Sequence, residues 1–127
     1  MNNVLSDLKA FHIGFSLAMQ IFEISKSFPK EEKYSLTDQI RRSSRSVCAN
    51  LGEAYRKRLY QAHFISKVSD ADMENTETQV WLKFAHSCQY LSTDDYVRLT
   101  NQSQEIGKLL DYYIHNPSQF RRNSEKH

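Results

Sequence analysis

The chain has 127 residues, 39% of them hydrophobic and 25% charged, with only 3 Gly and 2 Pro. That length fits one domain without a deep cleft, and so few turn formers disfavour sandwiches, barrels and phosphate-binding loops. Lys plus Arg number 17 against 15 Asp plus Glu, and a formal charge of +2 neither announces a polyanionic partner nor excludes one.

Breakers and helical periodicity divide the chain into four helices, at about 7–27, 35–57, 60–90 and 93–115. Phe28-Pro29 ends the first, because proline cannot continue a helix and restricts the residue before it. The cations Arg56-Lys57-Arg58 suit a helix C-terminus, so the second helix is expected to end there. Ser92-Thr93-Asp94-Asp95 offers an N-cap to the fourth, and Asn116-Pro117 stops it. The expected architecture is all-α: an up-down-up-down antiparallel bundle over residues 1–117, with a polar, disordered tail at 118–127. Cys48 and Cys88 are 40 residues apart with no metal-ligand spacing, which predicts two buried, reduced thiols. The N-terminus carries no leader pattern and no apolar run nears ~18 residues, so the expectation is a cytoplasmic protein with no membrane contact.

The first and third helices each carry two apolar stripes. Helix 1 has Ile13, Leu17, Ile21 and Ile24 on one side and Phe11, Phe15, Ala18 and Phe22 roughly opposite. Helix 3 has Phe64, Val68, Ala71 and Leu82 on one side and Met73, Val80, Phe84 and Leu91 on another. A bundle interior uses one stripe per helix, so the surplus, with Trp81, predicts burial between subunits or against helices of the same subunit. Helix 2 is one-sided, and its core stripe contains the small residues Ser43 and Ser44.

Charge is segregated by helix. Residues 36–59 hold Arg41, Arg42, Arg45, Arg56, Lys57 and Arg58 against Asp38 and Glu53, a net of +4. Residues 60–91 net −2. On a helical wheel Arg41, Arg42, Arg45 and Arg56 gather away from the apolar stripe, which suits phosphate contacts from RNA or DNA. The competing reading has these arginines consumed by acids of helix 3. A polar layer of Asn50, Glu53, Glu74, Glu77 and Gln79 with Arg42 is expected to set helix register or oligomer pairing. Paired carboxylates raise a di-metal site, but no histidine has an acid three residues before it, so no metal is expected. With no nucleophile–base pair legible either, the expectation is no enzyme, no cofactor and no small-molecule substrate.

Phe28-Pro29-Lys30-Glu31-Glu32, then Tyr34 to Ser44, then Ser46 to Arg56, then Glu74-Asn75-Thr76-Glu77-Thr78-Gln79 and Tyr90-Leu91-Ser92 resemble a bacterial four-helix-bundle family. It includes proteins encoded in intervening sequences of large-subunit ribosomal RNA genes. It is similar to the accessory variability determinant of diversity-generating retroelements. The resemblance implies a homopentameric ring, and nucleic-acid and reverse-transcriptase binding through a basic surface. By that resemblance Arg41, Arg42 and Arg45 are the leading contacts, with Arg56, Lys57 and Arg58 secondary. Cys48 and Ala54 stand where many members have proline and glycine, which implies a less kinked helix 2.

Overall fold

The computed structural model describes residues 8–120, and among them there are four α-helices and no strand. They are α1 (Lys9–Ile24), α2 (Leu36–Arg56), α3 (Gln61–Ser87) and α4 (Thr93–His115). The residues that pair between neighbours run in opposite order. Ala10 meets Tyr113 and Gln20 meets Gln102 across α1 and α4; Arg42 meets Glu77 and Glu53 meets Lys67 across α2 and α3. Asn75 meets Ser103 and His86 meets Thr93 across α3 and α4. The fold is therefore the expected antiparallel four-helix bundle, with each helix packed on the two that neighbour it in a closed order α1–α2–α3–α4.

One core runs the length of the bundle, with Ile21, Ile40, Leu51, Phe64, Val68, Leu82, Leu99, Ile106 and Leu110 almost fully shielded from water. Burial of this apolar stripe from each helix supplies most of the stability. Two polar links cross it. Ser43 Oγ lies 2.9 Å from Thr78 Oγ1 between α2 and α3. Between α3 and α4, Asn75 Nδ2 donates to the Ser103 carbonyl (2.9 Å), Ser103 Oγ donates to Asn75 Oδ1 (2.8 Å), and Gln79 Nε2 donates to Ser103 Oγ (3.0 Å). The polar layer thus joins Gln79 to α4, not to Arg42, Asn50 or Glu53; Asn50 Nδ2 instead bonds the Ser46 carbonyl of its own helix (2.9 Å).

The helix ends follow local chemistry. α1 passes into a 3₁₀ turn at Ser25–Ser27 and stops at Phe28, which is extended (φ −65°, ψ 150°) as a residue before proline must be. Ser92 Oγ accepts from the Asp95 amide at 3.1 Å, the cap expected for α4. The end of α3 comes earlier than the periodicity suggests. Gln89 adopts φ 65°, the Tyr90 amide donates to the Ala85 carbonyl (2.8 Å) and the Gln89 amide to His86 (2.9 Å). That is a Schellman closure built without glycine, so its usual sequence signal is missing. The segment after Pro117 is also more ordered than its composition implies. Residues Pro117–Phe120 form a 3₁₀ turn, and the Phe120 ring packs on Phe64 (5.4 Å) and Tyr113 (4.7 Å). The rest of the expected tail, 121–127, lies outside the described residues. Cys48 is half-buried and its thiol is pushed up to about 11 by burial, but Cys88 is exposed, a correction to the expected pair of buried thiols.

Left-handed backbone costs a residue with a Cβ roughly 1–2 kcal/mol, partly offset because glycine loses more freedom on folding. Gln89→Gly is therefore expected to stabilise the fold by about 1 kcal/mol in urea unfolding; a loss of stability would contradict the closure described.

Candidate nucleic-acid interface

The inner face of α2 decides its outer face. Leu36, Ile40, Ser43, Ser44, Val47, Leu51 and Ala54 are buried, and the arginines necessarily emerge on the far side. There Arg41, Arg42 and Arg45 line one shallow groove of about 520 Å³ together with Lys33, Tyr34, Thr37 and Asp38. Four cations thus surround a depression that holds one acid. Arg56 and Lys57 continue the exposed charge at the helix end. Arg58 does not: it is 8% exposed, its guanidinium lies 4.0 Å from the Tyr55 ring centroid, and Nη1 donates to the Tyr55 carbonyl (3.0 Å). A guanidinium folded onto its own turn cannot serve as an outward phosphate contact, so Arg58 leaves the candidate set.

The three groove arginines are held differently. Arg41 closes the end of α1, with Nε donating to Ser25 Oγ (2.8 Å) and Nη2 to the Phe22 carbonyl (3.3 Å). The Phe22 ring carries Arg41 at 4.8 Å, Arg45 at 5.5 Å and Lys26 Nζ at 4.9 Å from its centroid. This ring is a platform that holds cations together by their attraction to its π face, and it is half-buried within its own chain. Arg42 leans the other way, to Gln39 Oε1 (3.3 Å) and Glu77 Oε1 (3.8 Å). Both partners of that ion pair are about half exposed (54% and 42%), and such pairs contribute roughly 0–1 kcal/mol. Of Arg41, Arg42, Arg45, Arg56 and Lys57, Arg42 alone pairs with an acid among the described residues.

Acids on α3 are largely occupied elsewhere or isolated. Glu53 of α2 pairs with Lys67 (2.9 Å), which also reaches Asp70 (3.6 Å). Glu74 has its carboxyl pushed above the ordinary range by burial and then by the Glu77 charge, and its Oε1 has no hydrogen-bond partner among the described residues. No three His, Cys, Asp or Glu side chains come together as a metal site among the described residues.

The surplus apolar stripes divide. Phe11 is half-buried and stacks on Phe15 (6.3 Å), which is 56% exposed beside Met19 at 45%. On α3, Met73 (63%), Val80 (44%) and Phe84 (55%) stand outward, whereas Leu91 is buried. Trp81 is half-buried with its ring 6.0 Å from Phe84. On α1 the buried line of Ala10, Gly14, Leu17, Ala18 and Ile21 takes Leu17 and Ile21 from one predicted stripe and Ala18 from the other, so the two stripes meet at the core instead of opposing each other.

The family model described as 23S rRNA-intervening sequence protein matches residues 6–112. The chain belongs to that family. It is also similar to a crystal structure of a protein of unknown function from the S23 ribosomal protein family of Bacteroides thetaiotaomicron, with a TM-score of 0.77 and 31% identity. That likeness covers 84% of this chain and 96% of the other. Comparison with curated proteins returns no match. No helix among the described residues is long and apolar enough to cross a membrane.

Two groove residues escape sequence reasoning. Lys33 and Tyr34 sit in the turn before α2, where charge counted by segment nets to zero, so Lys33 is hidden by Glu31 and Glu32. The role of Phe22 as a platform for cations is likewise invisible, because a phenylalanine at helical spacing reads as core. The unequal roles of the arginines give a direct test. Arg41→Ala is expected to lower stability by about 1–2 kcal/mol through two lost hydrogen bonds, and Arg45→Ala by less than about 0.5 kcal/mol. Equal losses in urea unfolding would show that Arg41 has no such clamping role.

Proposed function

We propose that this protein is a non-enzymatic, cytoplasmic homo-oligomer that binds RNA or DNA without sequence preference through the arginine face of α2. The observation that carries the reading is the groove where Lys33, Arg41, Arg42 and Arg45 face a single acid, Asp38. Arg45, Arg56 and Lys57 make no ion pair among the described residues, so their charge is available to phosphates. Self-association is supported by the two exposed apolar patches, Phe15 with Met19 on α1 and Met73 with Val80 on α3. These helices occupy opposite corners of the bundle, and unlike patches on opposite sides suit a head-to-tail contact that closes into a ring. Five subunits is the number that the family resemblance implies. A ring would repeat the arginine face around its axis and multiply the attraction for a polyanion.

The second reading is an assembly scaffold that engages a partner protein such as a reverse transcriptase. It is favoured by the Arg42–Glu77 pair, which ties one arginine to α3. One experiment separates the two. Labelled RNA is titrated at two salt concentrations, with light scattering on the same samples. The expected result is an oligomer that binds RNA tightly at low salt, with about 10³-fold or greater weakening between 50 and 200 mM salt. Arg42→Glu with Arg45→Glu abolishes that binding while the mass is unchanged. No binding at low salt, or binding indifferent to salt and to these changes, overturns the nucleic-acid reading. A monodisperse single chain overturns the oligomer, and loss of the oligomer on Arg42→Ala with RNA binding intact favours the scaffold.

A further inference from the structure

We propose that the groove between the start of α2 and the end of α3 is a slot for an unstacked base of single-stranded nucleic acid. The inference rests on the nucleic-acid reading of the arginine face and specifies its ligand. The groove has a volume of about 410 Å³, and Tyr34, Leu36, Gln39, Trp81, Phe84 and Cys88 are among its lining residues. Three aromatic rings around one amide side chain are what a flat, apolar heterocycle with a hydrogen-bonding edge requires.

Its position selects the occupant. Tyr34 lines both this groove and the arginine groove, and Arg42 Nη2 donates to Gln39 Oε1 at 3.3 Å across the boundary between them. A ligand that fills both must present an anion and an apolar plane in immediate succession along a chain. A nucleotide does so; an apolar peptide helix has no use for the adjoining cations. Duplex bases are stacked and paired and cannot enter, so the ligand is single-stranded.

The slot is also built. Tyr34 is 85% exposed, with Lys33 Nζ 5.3 Å from its ring centroid. The turn that carries it is pinned by Glu32, whose carboxylate accepts from Ser35 Oγ (2.7 Å) and from Tyr90 OH (2.9 Å). These bonds hold the Glu32 carboxyl below the ordinary range and push the Tyr90 hydroxyl up to about 12. Glu32 also lines the groove, and its commitment to Tyr90 and Ser35, with Gln39 Oε1 accepting from Arg42, leaves the Gln39 Nε2 amide hydrogens as the polar group for a base edge.

Trp81 is the sole tryptophan of the chain and reports on the slot directly. Intrinsic fluorescence of the native oligomer is followed while a single-stranded 12-mer RNA or a duplex RNA of the same length is added at low salt. The expected result is quenching by the single strand but not by the duplex, with single-strand affinity about tenfold or more higher. Phe84→Ala, at an exposed position that lines this groove and not the arginine groove, then reduces single-strand affinity about tenfold and leaves duplex affinity and oligomer mass unchanged. Equal affinity for both RNAs with unmoved Trp81 fluorescence overturns the slot while the arginine-face reading stands. Absence of any salt-dependent binding removes both. Loss of the oligomer on Phe84→Ala overturns the slot by assigning this face to a subunit contact.

Discussion

The contact between α2 and α3 governs what the outer surface of this molecule can present. Ser43 and Thr78 are completely shielded from water and their hydroxyls meet at 2.9 Å. Small polar residues at this position let the helices approach closely while satisfying each other's hydrogen bonds. With Ile40, Val47 and Leu51 inward on the same stripe, α2 cannot rotate without exposing apolar area and burying guanidinium groups. The second alternative is far more costly than any gain from surface ion pairing. The arginines are therefore outward by consequence of the core.

In the proposed reading folding and binding share some of the same side chains, and they divide the work. Arg41 secures the end of α1 with two hydrogen bonds and sits over Phe22, so its charge reaches the groove from a fixed position. Arg45 touches the same ring but has no ion pair among the described residues. Arg42 bridges to Gln39 and, weakly, to Glu77. Arginine suits such double duty because its flat, delocalised cation lies on an aromatic face while its edge still donates hydrogen bonds. The outcome is a cationic surface partly held in place by the fold, which in the proposed reading a phosphate chain would engage.

Much of the fold was legible in the sequence. The one-sided stripe of α2, the Ser92 cap and the Phe28-Pro29 stop follow from rules that act within a few residues. The end of α3 was less legible, because a glutamine occupies the left-handed position where glycine is the usual signal. Phe120 reads as tail in the sequence because its partners, Phe64 and Tyr113, belong to helices distant along the chain or face inward. The site was legible in part. Arg41, Arg42 and Arg45 follow from a helical wheel, but Arg58 does not announce that it folds back onto Tyr55. Nor does a count of charges reveal that Gln79 turns to Ser103, although the expected link of Arg42 to Glu77 is present. Those choices depend on which neighbour packs on each side, and helical periodicity does not carry that information.

The salt dependence of RNA binding tests the proposed function most directly, because it counts the phosphate charges that the α2 face would neutralise. The logarithm of the association constant is plotted against that of salt concentration for the native protein and for Arg45→Ala, the groove arginine that carries least of the fold. For a single strand each phosphate contact contributes a slope of about −0.7, so Arg45→Ala should make the slope shallower by roughly that amount per contributing subunit. An unchanged slope, with affinity intact, would contradict the assignment of this face to nucleic acid.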